Sequence, residues 1–205
     1  MISGDAVGHH RMTVPDLEPA ARRLAALLDG VPDAALDDPT PSTDTSVATL
    51  LDHILGLAEG LRASALKEPT EAPQASAEHL DPQWRTVLPP RLEALVAAWR
   101  EPGAGEGTTS AGGLEFPAAE VALVTLDELV MHAWDLARAT GQPYEPDPAD
   151  VEAIMPFLEA FGGGEGVPGL FGPAVPVPDD APLFDRALGL SGRDPAWRAP
   201  AAQGS

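Results

Sequence analysis

Between Val121 and Trp134 the chain is apolar at Val121, Leu123, Val124, Leu126, Leu129, Val130 and Met131, and only Asp127, Glu128 and His132 can ionise. A carboxylate in such company needs a compensating partner, because burying an unpaired charge is costly. Glu128 and His132 are four residues apart, so on a helix they project from one face about a turn from each other. That geometry suits two ligands of one metal ion, and it also makes an ordinary helix-surface pair.

A metal held well needs a further protein ligand, and the remaining imidazoles are His9, His10, His53 and His79. His53 is the best placed: Leu50 three residues before it, Gly56 three after and Leu57 four after put it on an apolar helical stripe that faces a core. A core histidine hydrogen-bonded to a backbone carbonyl is the competing reading of His53 alone. His9 and His10 fall near the terminus and His79 in a connection. Asp135, three residues after His132, could accept the free imidazole N–H of a ligand and set its tautomer, or pair with Arg138 on the same helix. Trp134, Met131 and Met155 read as packing residues, Trp134 in preference to substrate stacking.

The elements that must position these side chains read as helices. A first helical pattern covers residues 15–28, with Leu17, Ala20, Ala21, Leu24, Leu27 and Leu28 inward and Asp16, Arg22 and Arg23 outward, and Gly30 stops it. After a polar, proline-containing link, a second helix begins near Ser46, with Thr45 or Ser46 a suitable cap, and lasts to about Lys67. Residues 68–78 have no periodicity and read as a long crossover. Asp81-Pro82 opens a third helix reaching about Trp99, with Pro89-Pro90 either kinking it or marking its true start. The glycine-rich residues 101–116 suit a surface loop or short hairpin. The fourth helix, from Pro117 to about Thr140, is apolar on nearly every face and so central, and Gly141 ends it. Asp147-Pro148 starts a short fifth helix to Phe161. Residues 1–164 are thus expected to form one helical bundle. The Pro- and Gly-rich residues 165–205, with one short helical stretch near 182–188, form a tail wrapped over it.

Composition agrees and excludes whole classes of function. At 205 residues with 44% apolar and only 5% aromatic residues, the chain is long enough for one real core, and the helix formers Ala and Leu dominate, giving an all-α expectation. A formal charge of -20 with 12 Lys and Arg leaves no basic patch for nucleic acid. With no cysteine there is no disulfide, thiolate metal site or cysteine nucleophile, so any sulfur chemistry must borrow a thiol. Residues 1–11 lack the basic start and apolar stretch of a signal peptide, and no segment approaches a bilayer span; the expected location is cytoplasmic.

Residues 40–56 (TPSTDTSVATLLDHILG) and 128–142 (ELVMHAWDLARATGQ) resemble the actinobacterial metal-binding family related to the N-terminal domain of mycothiol-dependent maleylpyruvate isomerase, within the DinB-like superfamily. Residues 171–178 (FGPAVPVP, from Phe171) and 192–197 (GRDPAW) are similar to its single-domain members, so the likeness spans nearly the whole chain. The resemblance implies a DinB-like four-helix bundle holding a divalent metal, usually zinc or nickel, through the residues matching His53, Glu128 and His132. It also implies a low-molecular-weight thiol such as mycothiol as cofactor, and a small-molecule thiol or electrophile as partner. Ser42 and Thr45 stand where relatives commonly carry Cys and Trp, so an aromatic wall of the pocket is missing and the substrate pocket is expected to differ.

Three protein ligands would leave open positions for water or a thiol, as in catalytic sites. The expected chemistry is therefore metal-activated, thiol-dependent transfer or isomerisation. Two alternatives share the ligands: a non-catalytic binding or regulatory module whose ion pins two helices together, and a two-histidine, one-carboxylate non-haem iron site.

Overall fold

The computed structural model describes residues 13–69, 74–166 and 172–200. Among them are six α-helices: α1 (Glu18–Leu27), α2 (Val47–Leu66), α3 (Trp84–Arg100), α4 (Ala118–Thr140), α5 (Pro148–Phe161) and α6 (Leu183–Leu190). Three short 3₁₀ turns and one small antiparallel hairpin of β1 (Thr108–Ala111) and β2 (Leu114–Pro117) accompany them, so the architecture is all-α as expected. His9, His10, Phe171, the N-terminal stretch and part of the 68–78 crossover lie outside the described residues.

Local chemistry sets the helix ends. Ser46 caps α2, its hydroxyl accepting the backbone N–H of Thr49 at 3.2 Å. Asp147 does the same for α5 through the N–H of Ala149 at 3.0 Å, with Pro148 at the first helical position, where its missing donor is harmless. Gly141 closes α4 in the left-handed conformation, φ 67°, which costs a residue without a Cβ nothing. α3 starts ahead of Pro89-Pro90 and runs through them. Asp81 gathers the N–H groups of Gln83 and Trp84 at the start, and burial of Trp84 and Leu88 outweighs the lost proline donors.

The bundle is built by α1 to α4. α1 packs on α3 and α4, and α2 packs on α3 and α4, which sets α1 diagonally across from α2. The link between them must therefore cross an end of the bundle. Buried Thr40 folds it into a tight loop, its hydroxyl donating to the Thr45 carbonyl at 2.9 Å. That loop carries Ser42 and Thr45. The later crossover is tied to α2 where Asp52 accepts the Ser76 N–H at 3.0 Å.

α4 is the most buried helix, though Leu123 and Val124 are only half-buried. The hairpin turns through Gly112-Gly113, both at positive φ, as a two-residue hairpin loop requires. It is also pinned to α2: the buried Thr109 hydroxyl donates to the Ser64 carbonyl at 2.5 Å, and the Ser64 hydroxyl to the Ser110 carbonyl at 2.7 Å. Arg23 does not face outward as its position on the pattern suggested. It is half-buried, 3.1 Å from Asp147 and 3.6 Å from Asp150, because the start of α5 brings these two carboxylates to it. α5 packs on α4, and α6 on α5, and the segment after α6 returns to α4 where Arg193 meets Asp135.

Candidate metal centre

α2 brings His53, and α4 brings Glu128 and His132, to one place inside the bundle. One ligand atom from each lies within 4.8 Å of the others. The rings of His53 and His132 meet edge to face, centroids 4.9 Å apart at 88°. His132 Nε2 sits 2.7 Å from Glu128 Oε2, and its Nδ1 sits 3.0 Å from Asp135 Oδ2. His53 and Glu128 are half-buried and His132 is buried. His79 is exposed on a short 3₁₀ turn and is not part of the cluster.

Asp135 does not pair with Arg138, whose guanidinium lies over Trp134, 5.4 Å from the ring centroid, and reaches the Pro195 carbonyl at 3.4 Å. Asp135 points into the interior instead and takes Arg193, from the segment after α6, at 2.8–3.1 Å. Sequence reasoning missed this partner. The signal was there in a buried acid and in the scarcity of basic residues, but a contact across 58 positions leaves no periodicity. Trp134 is buried and lines neither cavity next to His53, as packing requires.

The electrostatics follow from burial and these pairs. Burial disfavours the imidazolium of His132, yet Glu128 and Asp135 on its two sides lift its pKa to about 9. Burial would raise the Asp135 carboxyl, but Arg193 and His132 hold it down to about 2. Burial likewise opposes ionisation of Glu128, and the charge of His132 keeps it below the ordinary glutamate value. Burial, with the His132 charge beside it, keeps His53 below the ordinary histidine value. Asp127 is pushed up to about 7 by burial and by Glu128, and its buried Oδ1 has no hydrogen-bond partner.

These shifts fix the sign of a pH effect. Without metal, His132 stabilises the fold fully below its ordinary 6.5 and loses that contribution as pH rises to about 9. Asp127 acts the same way between its ordinary 3.8 and about 7. Chelated protein is therefore expected to unfold at lower urea near pH 9 than near pH 7, helped by self-repulsion of the -20 charge. This window lies above the 6.5 below which His53, with its lowered pKa, acts in the opposite sense. Equal or greater stability at the alkaline pH would contradict the assignment.

The donor set fits a divalent ion. Two imidazoles and one carboxylate are a set zinc takes, bonding at about 2.0–2.2 Å. The two carboxylates flanking His132 supply negative charge that a proton balances here and a cation could balance equally. A cavity of about 360 Å³ opens on all three side chains, walled by Ser42, Thr45, Asp127 and Gly192. A second, of about 540 Å³, lies on the far side of His53, toward His79 and Arg91.

The family model described as mycothiol maleylpyruvate isomerase N-terminal domain matches residues 17–137. Uncharacterized proteins from two strains of Mycobacterium tuberculosis are each 31% identical over 183 residues, covering 83% of this chain and 91% of theirs. Among solved structures, a histidine-to-alanine mutant of mycothiol-dependent maleylpyruvate isomerase superposes with a TM-score of 0.54, and the unmutated isomerase with 0.52. Both are 19% identical to this chain, cover 70% of it, and share its fold; the match spans 65% of the isomerase's own length.

Proposed function

The chain belongs to the mycothiol maleylpyruvate isomerase N-terminal domain family, and on that premise we propose that His53, Glu128 and His132 hold one divalent metal ion that serves thiol-dependent transfer or isomerisation. Zinc is the expected ion, with nickel next, and mycothiol or a similar low-molecular-weight thiol the expected cofactor. The observation that carries the reading is the convergence of two imidazoles and one carboxylate from α2 and α4 on a cavity wide enough for a small molecule.

A divalent ion bound there supplies Lewis acidity, lowering the pKa of a thiol or water beside it. The chain's own groups do the rest. His53, held neutral, and His132, once its Nε2 proton has left, offer lone pairs, and Glu128 offsets positive charge. Asp135 accepts the Nδ1–H of His132 and fixes the tautomer that leaves Nε2 free. Asp127, in the cavity wall, holds a carboxyl proton close to neutral pH. The chain contains no cysteine, so the reactive sulfur comes with the small molecule. Ser42 and Thr45 line the cavity with small polar side chains in place of the Cys and Trp that the family resemblance implies there, which favours an electrophile of different shape from the isomerase's substrate.

No described helix is long and apolar enough to cross a membrane, and a cytoplasmic location suits a thiol-using protein without disulfides. Nucleic acid is not a partner on this reading, given the acidic surface.

Cobalt-loaded protein tests the function directly. Adding mycothiol or another small thiol is expected to produce a thiolate-to-cobalt charge-transfer band that His53→Ala abolishes. Stoichiometric cobalt binding with no such band at millimolar thiol would leave a metal-stabilised binding module, in which the ion only pins α2 to α4. Iron as the metal retained on purification would point to the non-haem site instead.

A further inference from the structure

The segment after α6 contributes one fully engaged cation to the centre. Arg193 is 9% exposed, and Asp135, which it meets, is 0% exposed. Its Nε donates to Asp135 Oδ1 at 3.0 Å and Oδ2 at 3.1 Å, its Nη2 to Oδ2 at 2.8 Å, and its Nη1 to the Ser191 carbonyl at 3.3 Å. Asp135 Oδ2 also takes the Ser42 hydroxyl at 3.2 Å and faces His132 Nδ1 at 3.0 Å. One carboxylate thus joins the loop before α2, the central helix and the C-terminal segment. The backbone is shaped for this. Gly192 sits at φ 82°, and a Cβ there would stand 2.8 Å from the Gly172 backbone, so only glycine turns the chain inward at this point. The Arg193 N–H then closes on the Leu188 carbonyl at 2.8 Å.

A segment needed only to cover apolar surface would place an apolar residue there, since a buried guanidinium is tolerated only when its donors are matched. The planar fork of arginine spans both carboxylate oxygens and fixes the rotation of the group, which a point charge does not. We propose that Arg193 is a positioning residue for the metal centre: by gripping Asp135 it holds His132 with Nδ1–H engaged and Nε2 turned toward Glu128 and His53. The C-terminal segment is thereby a working part of the site rather than a cover. This rests on the metal reading above.

Two measurements test it. Zinc affinity, measured by competition with a chromophoric chelator, is expected to fall about 10- to 100-fold in Arg193→Ala, the usual effect of losing the support behind a ligating histidine. Arg193→Lys should recover only part of it. Trp197→Ala, which loosens the packing of the same segment, should lower the melting temperature and leave zinc affinity near that of the unaltered protein. Equal affinities in Arg193→Ala and the unaltered protein, or an equal loss in Trp197→Ala, would overturn the proposal. The second readout needs no metal: the His132 Nδ1 proton, observed by NMR in chelated protein, should exchange slowly with water and be lost in Arg193→Ala. If the unaltered protein bound no zinc, the function proposed above would fall, and this proton would decide alone; its persistence in Arg193→Ala would overturn the positioning role.

Discussion

His132→Ala is expected to destabilise even the chelated protein by about 3–5 kcal/mol at neutral pH, because it removes one member of a buried charge network. The imidazolium lies between Glu128 and Asp135, with Arg193 behind. Deleting it strands two carboxylates against one guanidinium. His53→Ala makes the contrast. His53 is half-buried, its pKa is kept below the ordinary histidine value, and it meets this network through ring contact with His132 and proximity to Glu128, without a hydrogen bond to either among the described residues. Its loss should cost about 1 kcal/mol without metal, the ordinary effect of one substitution. Both variants should lose stoichiometric zinc binding. Urea melts in chelator, paired with zinc titrations, read the difference. Equal stabilities of the two chelated variants would mean that His132 is not held as a cation.

Trp134→Ala carries a comparable cost with a different signature. Trp134 is 3% exposed, it is absent from the walls of both cavities beside His53, and Arg138 covers its ring. Truncating a tryptophan in such a place costs about 3–5 kcal/mol. For a domain of this size that is a fall of roughly 6–20 °C in melting temperature. Zinc affinity should stay within about threefold of the unaltered protein, since no ligand or ligand support is touched. A stable Trp134→Ala protein with impaired thiol binding would instead assign the ring to the substrate pocket.

Much of this was legible in the residues because the signals are local. Ser46, Asp147 and Gly141 mark helix ends by satisfying groups a helix leaves open, and they do so whatever packs around them. The apolar pattern of α4 made Glu128 and His132 conspicuous for the same reason, and the stripe through His53 aimed the third side chain at the core. What was not legible depends on distant packing. Arg193 reaches Asp135 only because residues after α6 return over the bundle, and Arg23 turns inward only because the start of α5 presents Asp147 and Asp150 to it. Pro89-Pro90 read as a possible helix start, while burial of Trp84 and Leu88 extends α3 ahead of them. Propensity yields there to tertiary contacts, as it commonly does.

The loop before α2 lines part of the cavity beside the three side chains. Ser42 does not stand idle there: its hydroxyl reaches Asp135 and joins the network behind His132. The loop that sets the width of the cavity is therefore tied to the ligand geometry.

Anomalous diffraction from crystals grown with equimolar zinc is the most direct measurement. One peak is expected among the three side chains, bonded to nitrogens of His53 and His132 and an oxygen of Glu128 at about 2.0–2.2 Å, with a remaining position facing the cavity. A fully loaded crystal whose zinc lies elsewhere, while His132 Nε2 keeps its hydrogen bond to Glu128, would contradict the assignment of this cluster as a metal centre.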